Sequence, residues 1–480
     1  MKFQQLRIRL VAGGLLILFV ALAVAGISNV TIQGNRWFSS SLNKRVESQK
    51  ENVIAGDILD RRGVVLATTV EGKRTYHPEE NRRRAMVHLL GDSLGRVANG
   101  VENFQTNYLY GFSTSLPELI AGVFRREKRR GDNVTLTVDS QLCAQIPGYF
   151  ESDGATRGKY GAVVVMNYLT GEVIAQNSLP SFDPEEEAGT LLTVPGQPYW
   201  NRATQSLYPP GSTFKMITAA AALSKWPDVE SRAFSCTGIY DADGHVISDY
   251  GHVAHGRLSL QKGFTLSCNS IFCQLAVQMG DGQLLSAARE FGFNENFLFR
   301  DLVMNNSHYP TVNRTPFEIA ATGIGQSALG ITPTHLCMIA GAIANRGVMM
   351  EPRLLRDVTS PMGVKRLTFS ASPYRTVVKP AVAEIIKGYM AAVVTGGTGR
   401  AAAVPGLSIC GKTGSAETSL QGVNVTHGWY VGFINNAKLP FAVAVVVENI
   451  EDGQTGGTTA GVIAGKIFRY LKANGHALVD

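Results

Sequence analysis

The chain has 480 residues, 45% of them apolar and 17% charged, which supports large packed cores and excludes a disordered polypeptide. A formal net charge of +7 suits an anionic neighbour, whether membrane surface, wall polymer or nucleic acid. No zinc-finger spacing, basic stripe interleaved with aromatics or Walker-type phosphate loop occurs, which argues against nucleic acid and nucleotide.

The N-terminal residues 1–9 carry Lys2, Arg7 and Arg9, and residues 10–27 follow without a charge. At about 1.5 Å per residue, that run reaches roughly 27 Å, enough to cross a hydrocarbon core. The pattern predicts a membrane anchor with a cytoplasmic tip and everything after residue 27 outside. A cleaved signal peptide is the alternative, since the small residues Ala21, Ala23 and Ala25 could form a cleavage site. Six cysteines (Cys143, Cys236, Cys268, Cys273, Cys337 and Cys410) are too few for a dense disulfide framework. Most read as small packing residues, Cys268 and Cys273 lie too close along one helix to face each other, and a bridge involving Cys236 stays open.

Residues 28–155 are more charged and less regular, with Gly63 turning the chain between two short apolar runs. The basic clusters Arg82–Arg84 and Arg125–Arg130 read as solvated faces, or else as contacts to anionic lipid or wall polymer. Near residue 158 the character changes. GAVVVMNYLTGEVIAQ predicts two strands about a turn ending at Gly171. Helical patterns come after Lys215, in FEIAATGIGQSALG and in THLCMIAGAIANRG, the last stopped by Gly347. Strands return in HGWYVGFI and LPFAVAVVVENI, so residues 156–480 read as an α+β domain whose sheet joins its start and finish.

Three short strings carry the chemistry. Ser-x-x-Lys is a weak pattern, and it occurs twice. Ser41-Leu42-Asn43-Lys44 has no helix-start signal before it and no apolar face after it. Ser212-Thr213-Phe214-Lys215 instead follows Pro209-Pro210-Gly211 and opens an alanine-rich helix, whose free N–H groups and dipole favour developing negative charge. Lys215, three residues on, shares a face with Ser212. To act as a base its amine must be neutral near pH 7, which burial and a nearby cation such as Lys412 favour. Ser267-Cys268-Asn269 supplies a hydroxyl and an amide, although alone it also reads as an ordinary helix N-cap. Lys412-Thr413-Gly414 puts a cation on an edge strand, where Gly414 would let a substrate backbone lie close. The ordered set describes a serine acyltransferase that uses lysine where other hydrolases use histidine.

In this order the chain resembles the class B penicillin-binding proteins, monofunctional transpeptidases of peptidoglycan synthesis. GDILDRRGVVLA, GAVVVMNYLTGEVIAQNSLPSFDP, YPPGSTFK, SCNSIF, GIGQSALGITP, IANRGVMMEP, GKTGSAE and GWYVGF carry the likeness over nearly the whole chain. It implies a penicillin-binding transpeptidase or serine β-lactamase-like catalytic domain over 156–480, an antiparallel sheet flanked by helices, standing on a pedestal over 28–155. By motif, Ser212 would be the acylated nucleophile and Lys215 its base. Ser267 would relay a proton to the departing D-alanine, and Asn269 would bind the substrate's peptide carbonyl. Lys412 would bias the local pKa values, while Thr413 and Ser415 would hold the terminal carboxylate beside Gly414. The amides of Ser212 and Ser415 would form the oxyanion hole. Cys268 at the middle of the second motif and Ser415 after the third depart from the commoner residues and preserve the chemistry. The resemblance implies no cofactor or metal requirement, D-Ala-D-Ala stem peptides as substrates and β-lactams as inhibitors. It also implies a polytopic membrane glycosyltransferase as partner. A D,D-carboxypeptidase would use the same motifs with water as acceptor. A non-catalytic β-lactam receptor would need a cytoplasmic effector, for which a nine-residue tip leaves no room.

Overall fold

The computed structural model describes residues 2–38, 53–97, 99–111, 129–186, 195–312, 314–420 and 422–479. The duplicate motif at Ser41 and the basic residues 125–128 lie outside them. The first helix, Lys2–Phe38, contains the window Arg9–Gly26, with a mean hydropathy of 2.2. The helix is long and apolar enough to cross a membrane, and none of that window is buried against the rest of the chain.

Two large sheets organise the chain beyond this helix. The catalytic sheet has five antiparallel strands in the order Ile409–Leu420, Val423–Ile434, Phe441–Ile450, Gly161–Asn167 and Val173–Leu179. The last strand of the chain therefore lies beside the first of the domain, as the sequence predicts, and Gly171 turns the hairpin at φ +77°. Its central strands are buried on both faces, which is why they read as continuous apolar runs rather than alternating ones. Helix Pro333–Ala344 covers the face of Ala442, which Gly341 approaches, and helix Ala460–Asn474 covers the other, where Phe468 meets Tyr430 edge-on.

The second sheet, in the N-terminal part, has six strands in the order Lys365–Thr368, Leu355–Thr359, Asn133–Leu136, Ile58–Leu59, Val65–Val70 and Lys73–Tyr76. Two of these six come from late in the chain: Leu355 pairs with Leu136 and Val358 with Val134. Between Ile58–Leu59 and Val65–Val70, Gly63 makes the predicted turn at φ +81°, with the Asp60 carboxylate accepting from the amides of Arg62 and Val64.

Three expectations change. The predicted helix over FEIAATGIGQSALG ends early, spanning Pro316–Gly323. Gly325 turns at φ +81° and gives its carbonyl to the Gly211 amide at 2.9 Å, which draws the next residues into the site instead. The cluster Arg82–Arg84 is not simply a solvated or lipid-facing run. Arg83 forks onto Asp183 (2.6 and 3.0 Å) and Arg84 reaches Glu186, tying the N-terminal part to the catalytic one. Finally, all six cysteines are buried and free, so no bridge forms at Cys236. The helix that contains THLCMIAGAIA ends at Ala344, and Gly347 closes that end as predicted, its amide donating to the Ala342 carbonyl at 2.7 Å.

Candidate active site

The Pro-Pro-Gly run does more than halt the chain. Gly211 sits at φ +53°, and Gly211–Phe214 forms a tight 3-10 turn before the α-helix Lys215–Lys225. The α-helix thus begins at Lys215 rather than Ser212. In a 3-10 turn residues i and i+3 eclipse, which still places Ser212 and Lys215 on one side. The turn is braced from below. Trp429 Nε1 donates to the Pro209 carbonyl at 3.0 Å, and Tyr208 stands edge-on to Trp429 while its hydroxyl donates to Glu448 at 2.6 Å. Arg202 donates to the same carboxylate oxygen at 2.9 Å.

Ser212 lines a cleft of about 850 Å³, together with Ser267, Asn269, Thr413, Gly414 and Ser415. The two remaining predicted residues, Lys215 and Lys412, are fully buried beneath its floor. All eight therefore converge. Ser267 is the pivot. It is held at φ +59° between helices Leu260–Leu266 and Asn269–Met279, so it ends the first helix rather than capping the second. Lys412 Nζ donates to Ser267 Oγ at 2.9 Å and to the Thr413 carbonyl at 2.9 Å. Lys215 Nζ donates to the Ser267 carbonyl at 2.6 Å, to Asn269 Oδ1 at 2.7 Å and, at 3.3 Å, to Ser267 Oγ. The Asn269 side-chain amide in turn donates to the Ser248 carbonyl at 2.8 Å. Among the described residues the Ser212 side chain has no hydrogen bond, so its hydroxyl stands free in the cleft.

Burial lowers the Lys215 pKa to about 8. Lys412 is lowered well below its ordinary value, by burial first and then by the Lys215 charge. The expected arrangement, with Lys412 the fixed cation depressing Lys215, is thus too simple. Two buried amines share one hydroxyl, so the pair sheds a proton as a unit far more readily than a free lysine.

Lys412, Thr413, Gly414 and Ser415 lie on Ile409–Leu420, which is the edge strand of the sheet as predicted. Gly414 has a different duty from the one its sequence suggests. A Cβ there would crowd the Pro210 carbonyl (3.0 Å) and Thr213 (3.1 Å), so this glycine lets the strand close on the turn that carries Ser212. Thr413 Oγ1 pairs with Thr398 Oγ1 at 2.6 Å, and Ser415 Oγ accepts from the Gly456 amide at 3.2 Å. Thr398, Gly456 and Thr455 line the same cleft, and no pattern in the sequence marks them. Nor does any pattern mark Asp249. Its carboxylate takes the capping position that the second motif leaves open, accepting from the Asn269 backbone amide and, at 2.6 Å, from the Ser270 hydroxyl.

A serine on a helix-start turn, two buried lysines meeting at a second serine, and an edge strand above them define an acyl-serine enzyme of the penicillin-recognising fold. Residues 161–469 match the family model described as the penicillin binding protein transpeptidase domain. The chain belongs to that family and is a serine acyl-transfer enzyme. It is 28% identical to the peptidoglycan D,D-transpeptidase PbpA of Mycolicibacterium smegmatis, over 96% of this chain and 97% of that protein. It is 33% identical to PbpA of Mycobacterium tuberculosis over 73% of this chain and 74% of that one. Among solved structures, the ceftriaxone acyl-enzyme of penicillin-binding protein A from M. tuberculosis superposes with a TM-score of 0.79 at 28% identity. That match covers 88% of this chain and 98% of the other.

Proposed function

We propose that this chain is a peptidoglycan D,D-transpeptidase that crosslinks stem peptides through an acyl-enzyme on Ser212 and is inhibited by β-lactams. The observation that carries the assignment is the convergence of Lys215 and Lys412 on Ser267, beside the free hydroxyl of Ser212. Ser212 attacks the D-Ala-D-Ala carbonyl, and its proton passes to the Lys215 amine. The amides of Ser212 and Ser415 receive the oxyanion. The C–N bond breaks as Ser267, recharged through the lysine pair, protonates the leaving D-alanine. Thr413 and Ser415 hold the terminal carboxylate of the donor, and the second N–H of the Asn269 side-chain amide binds its peptide carbonyl. An amine from a second stem then enters, loses its proton to the same relay and displaces Ser212, so one difficult transfer becomes two easier ones.

The wider organisation belongs to the same proposal. Residues 1–9 form a cytoplasmic tip, 10–27 a single membrane span, 28–155 a pedestal and 156–480 the extracytoplasmic transpeptidase domain. The names of the PbpA relatives and the apolar window Arg9–Gly26 support it. With so short a pedestal, glycan polymerisation falls to a polytopic membrane glycosyltransferase contacted by the anchor and pedestal.

The test is fluorescent-penicillin labelling of the full chain and of Ser212→Ala, followed by product analysis on lipid-linked pentapeptide with a glycan polymerase supplied. Labelling lost in the alanine variant and crosslinked dimers from the wild type are expected. Undiminished labelling in Ser212→Ala would sink the nucleophile assignment, and tetrapeptide monomers without dimers would make the enzyme a carboxypeptidase.

A further inference from the structure

The open edge of the catalytic sheet is closed off before its strand ends. Ile409–Leu420 has a neighbour on one side only, Val423–Ile434, with Ser415 opposite Gly428 and Glu417 opposite Thr426. In an antiparallel ladder, alternate residues turn both their N–H and their C=O to the same side. Thr413, Ser415 and Glu417 therefore face one way, and that way is into the cleft. The Ser415 carbonyl oxygen lies 2.8 Å from where a Cβ on Gly211 would sit, so glycine at that position leaves it open toward the turn carrying Ser212. The Thr413 carbonyl is already taken, by Lys412 Nζ at 2.9 Å.

Glu417, at the other end, is taken too. Gln326, half-buried on the cleft wall, presents its amide nitrogen to the Glu417 carbonyl and its amide oxygen to the Glu417 N–H, each at 3.2 Å. A carboxamide that offers a donor and an acceptor side by side copies the pairing groups of a strand residue. The backbone beneath it is held without help from that side chain. The Gln326 amide donates to the Ala321 carbonyl at 2.9 Å, and the Gly325 carbonyl accepts from the Gly211 amide at 2.9 Å. Ser415 is left between the two as the place where a ligand can pair.

We propose that Gln326 determines how much of the donor peptide is read as a strand, ending the pairing before the fourth residue from the donor's C-terminus. This rests on the acyl-transfer reading above. A donor whose reacting carbonyl points at the Ser415 amide, with its terminal carboxylate toward Thr413, runs antiparallel to Ile409–Leu420. Its acyl residue, second from the end, then lies opposite Ser415. The third residue turns away from the edge, and the fourth would meet Glu417, about 6.8 Å along. Gln326 stands there instead. An all-α peptide thus gains nothing from a fourth residue. A peptidoglycan stem loses nothing, because its fourth residue from the end is a glutamyl unit joined through the side-chain carboxyl. The extra methylenes carry that unit out of strand register, so the cap disfavours ordinary polypeptide at no cost to the stem.

The test uses the full chain in detergent and donors ending in D-Ala-D-Ala, with formation of the acyl-enzyme followed by release of D-alanine. Two five-residue donors share one composition: the first is all-α, and the second has the γ-glutamyl link at the fourth residue from its end. Gln326→Ala frees the Glu417 N–H and C=O, so kcat/KM for the all-α donor should rise about tenfold relative to the γ-linked one. A relative rise below about threefold would overturn the proposal, and that includes both rates falling in parallel, the result of a merely structural role. If the variant fails to fold, the wild type decides. Lengthening an all-α donor from three residues to five should improve kcat/KM by less than about threefold, and a larger gain would overturn the proposal. Acylation is the readout, so the identity of the acceptor plays no part. A protein acylated by penicillin but by neither donor would overturn the D,D-transpeptidase reading along with this one, whereas an unchanged donor ratio overturns this one alone.

Discussion

Replacing Gly414 with alanine separates two uses for one residue. An ideal Cβ there lies 3.0 Å from the Pro210 carbonyl oxygen, 3.1 Å from Thr213 Cγ2 and 3.3 Å from the Thr213 amide nitrogen. Ordinary contact begins at 3.4 Å, so the worst shortfall is 3.4 − 3.0 = 0.4 Å. Two of the three atoms are backbone, and turning a side chain cannot relieve them. The strand is held along its length by its neighbour Val423–Ile434, so the turn carrying Ser212 must give way. A 1 Å misplacement of reacting groups costs about 10²-fold in rate, so a shift of roughly 0.4 Å should cost about tenfold, or about 1.4 kcal/mol. Stopped-flow acylation at several concentrations of a fluorescent penicillin resolves the noncovalent binding constant from the acylation step. Gly414→Ala should lower the acylation rate constant about tenfold and leave binding within about twofold. Weakened binding with an unchanged acylation step would refute this reasoning. It would return Gly414 to the role its place in the motif suggests, making room for the ligand.

Acylation should also follow the charge on Lys215. The base acts as the neutral amine and burial lowers its pKa to about 8, so the acylation rate constant should climb with pH and level off above that value. A profile flat from about pH 6 to 9 would remove Lys215 as the base. Arg83→Ala should leave Asp183 largely buried without its fork of hydrogen bonds, destabilising the chain by about 3 kcal/mol. Chemical unfolding measures that loss, while acylation of the folded enzyme should be unchanged. Stability equal to wild type would show that the ion pair is incidental. Ser212→Ala should abolish penicillin labelling while leaving the melting temperature close to wild type.

The convergence of Ser212, Lys215, Ser267, Asn269 and Lys412 was legible because each belongs to a short local string, and the three strings fall in a fixed order along the chain. The central strands were legible because burial on both faces leaves uninterrupted apolar runs. What the sequence concealed depends on contacts between distant segments. Asp249 reads as one more polar loop residue, and only the fold sets its carboxylate under the Asn269 amide. The helix over FEIAATGIGQSALG ends early because Gly325 hands its carbonyl to Gly211, a partner 114 positions earlier (325 − 211). The Arg82–Arg84 cluster looked like a solvated face because Asp183 and Glu186 lie 100 and 102 positions from the arginines they meet. Taken alone, the Ser267 string reads equally well as a helix cap, because nothing local records that two lysines reach it.

The hairpin of Leu355–Thr359 and Lys365–Thr368 has a consequence for how the enzyme is made. Strand Asn133–Leu136 has Ile58–Leu59 on one side and waits on the other for Leu355–Thr359, and Thr137 waits for the Arg353 carbonyl, 216 positions later. As the chain emerges from its N-terminus, the pedestal sheet carries an open edge until most of the catalytic part has followed it. Unpaired strand edges of this kind recruit other chains. A fragment cut after the pedestal would keep that edge permanently, so it should aggregate where the whole chain stays soluble in detergent. The base of this enzyme is finished by its own active half, so it cannot be completed before that half is made.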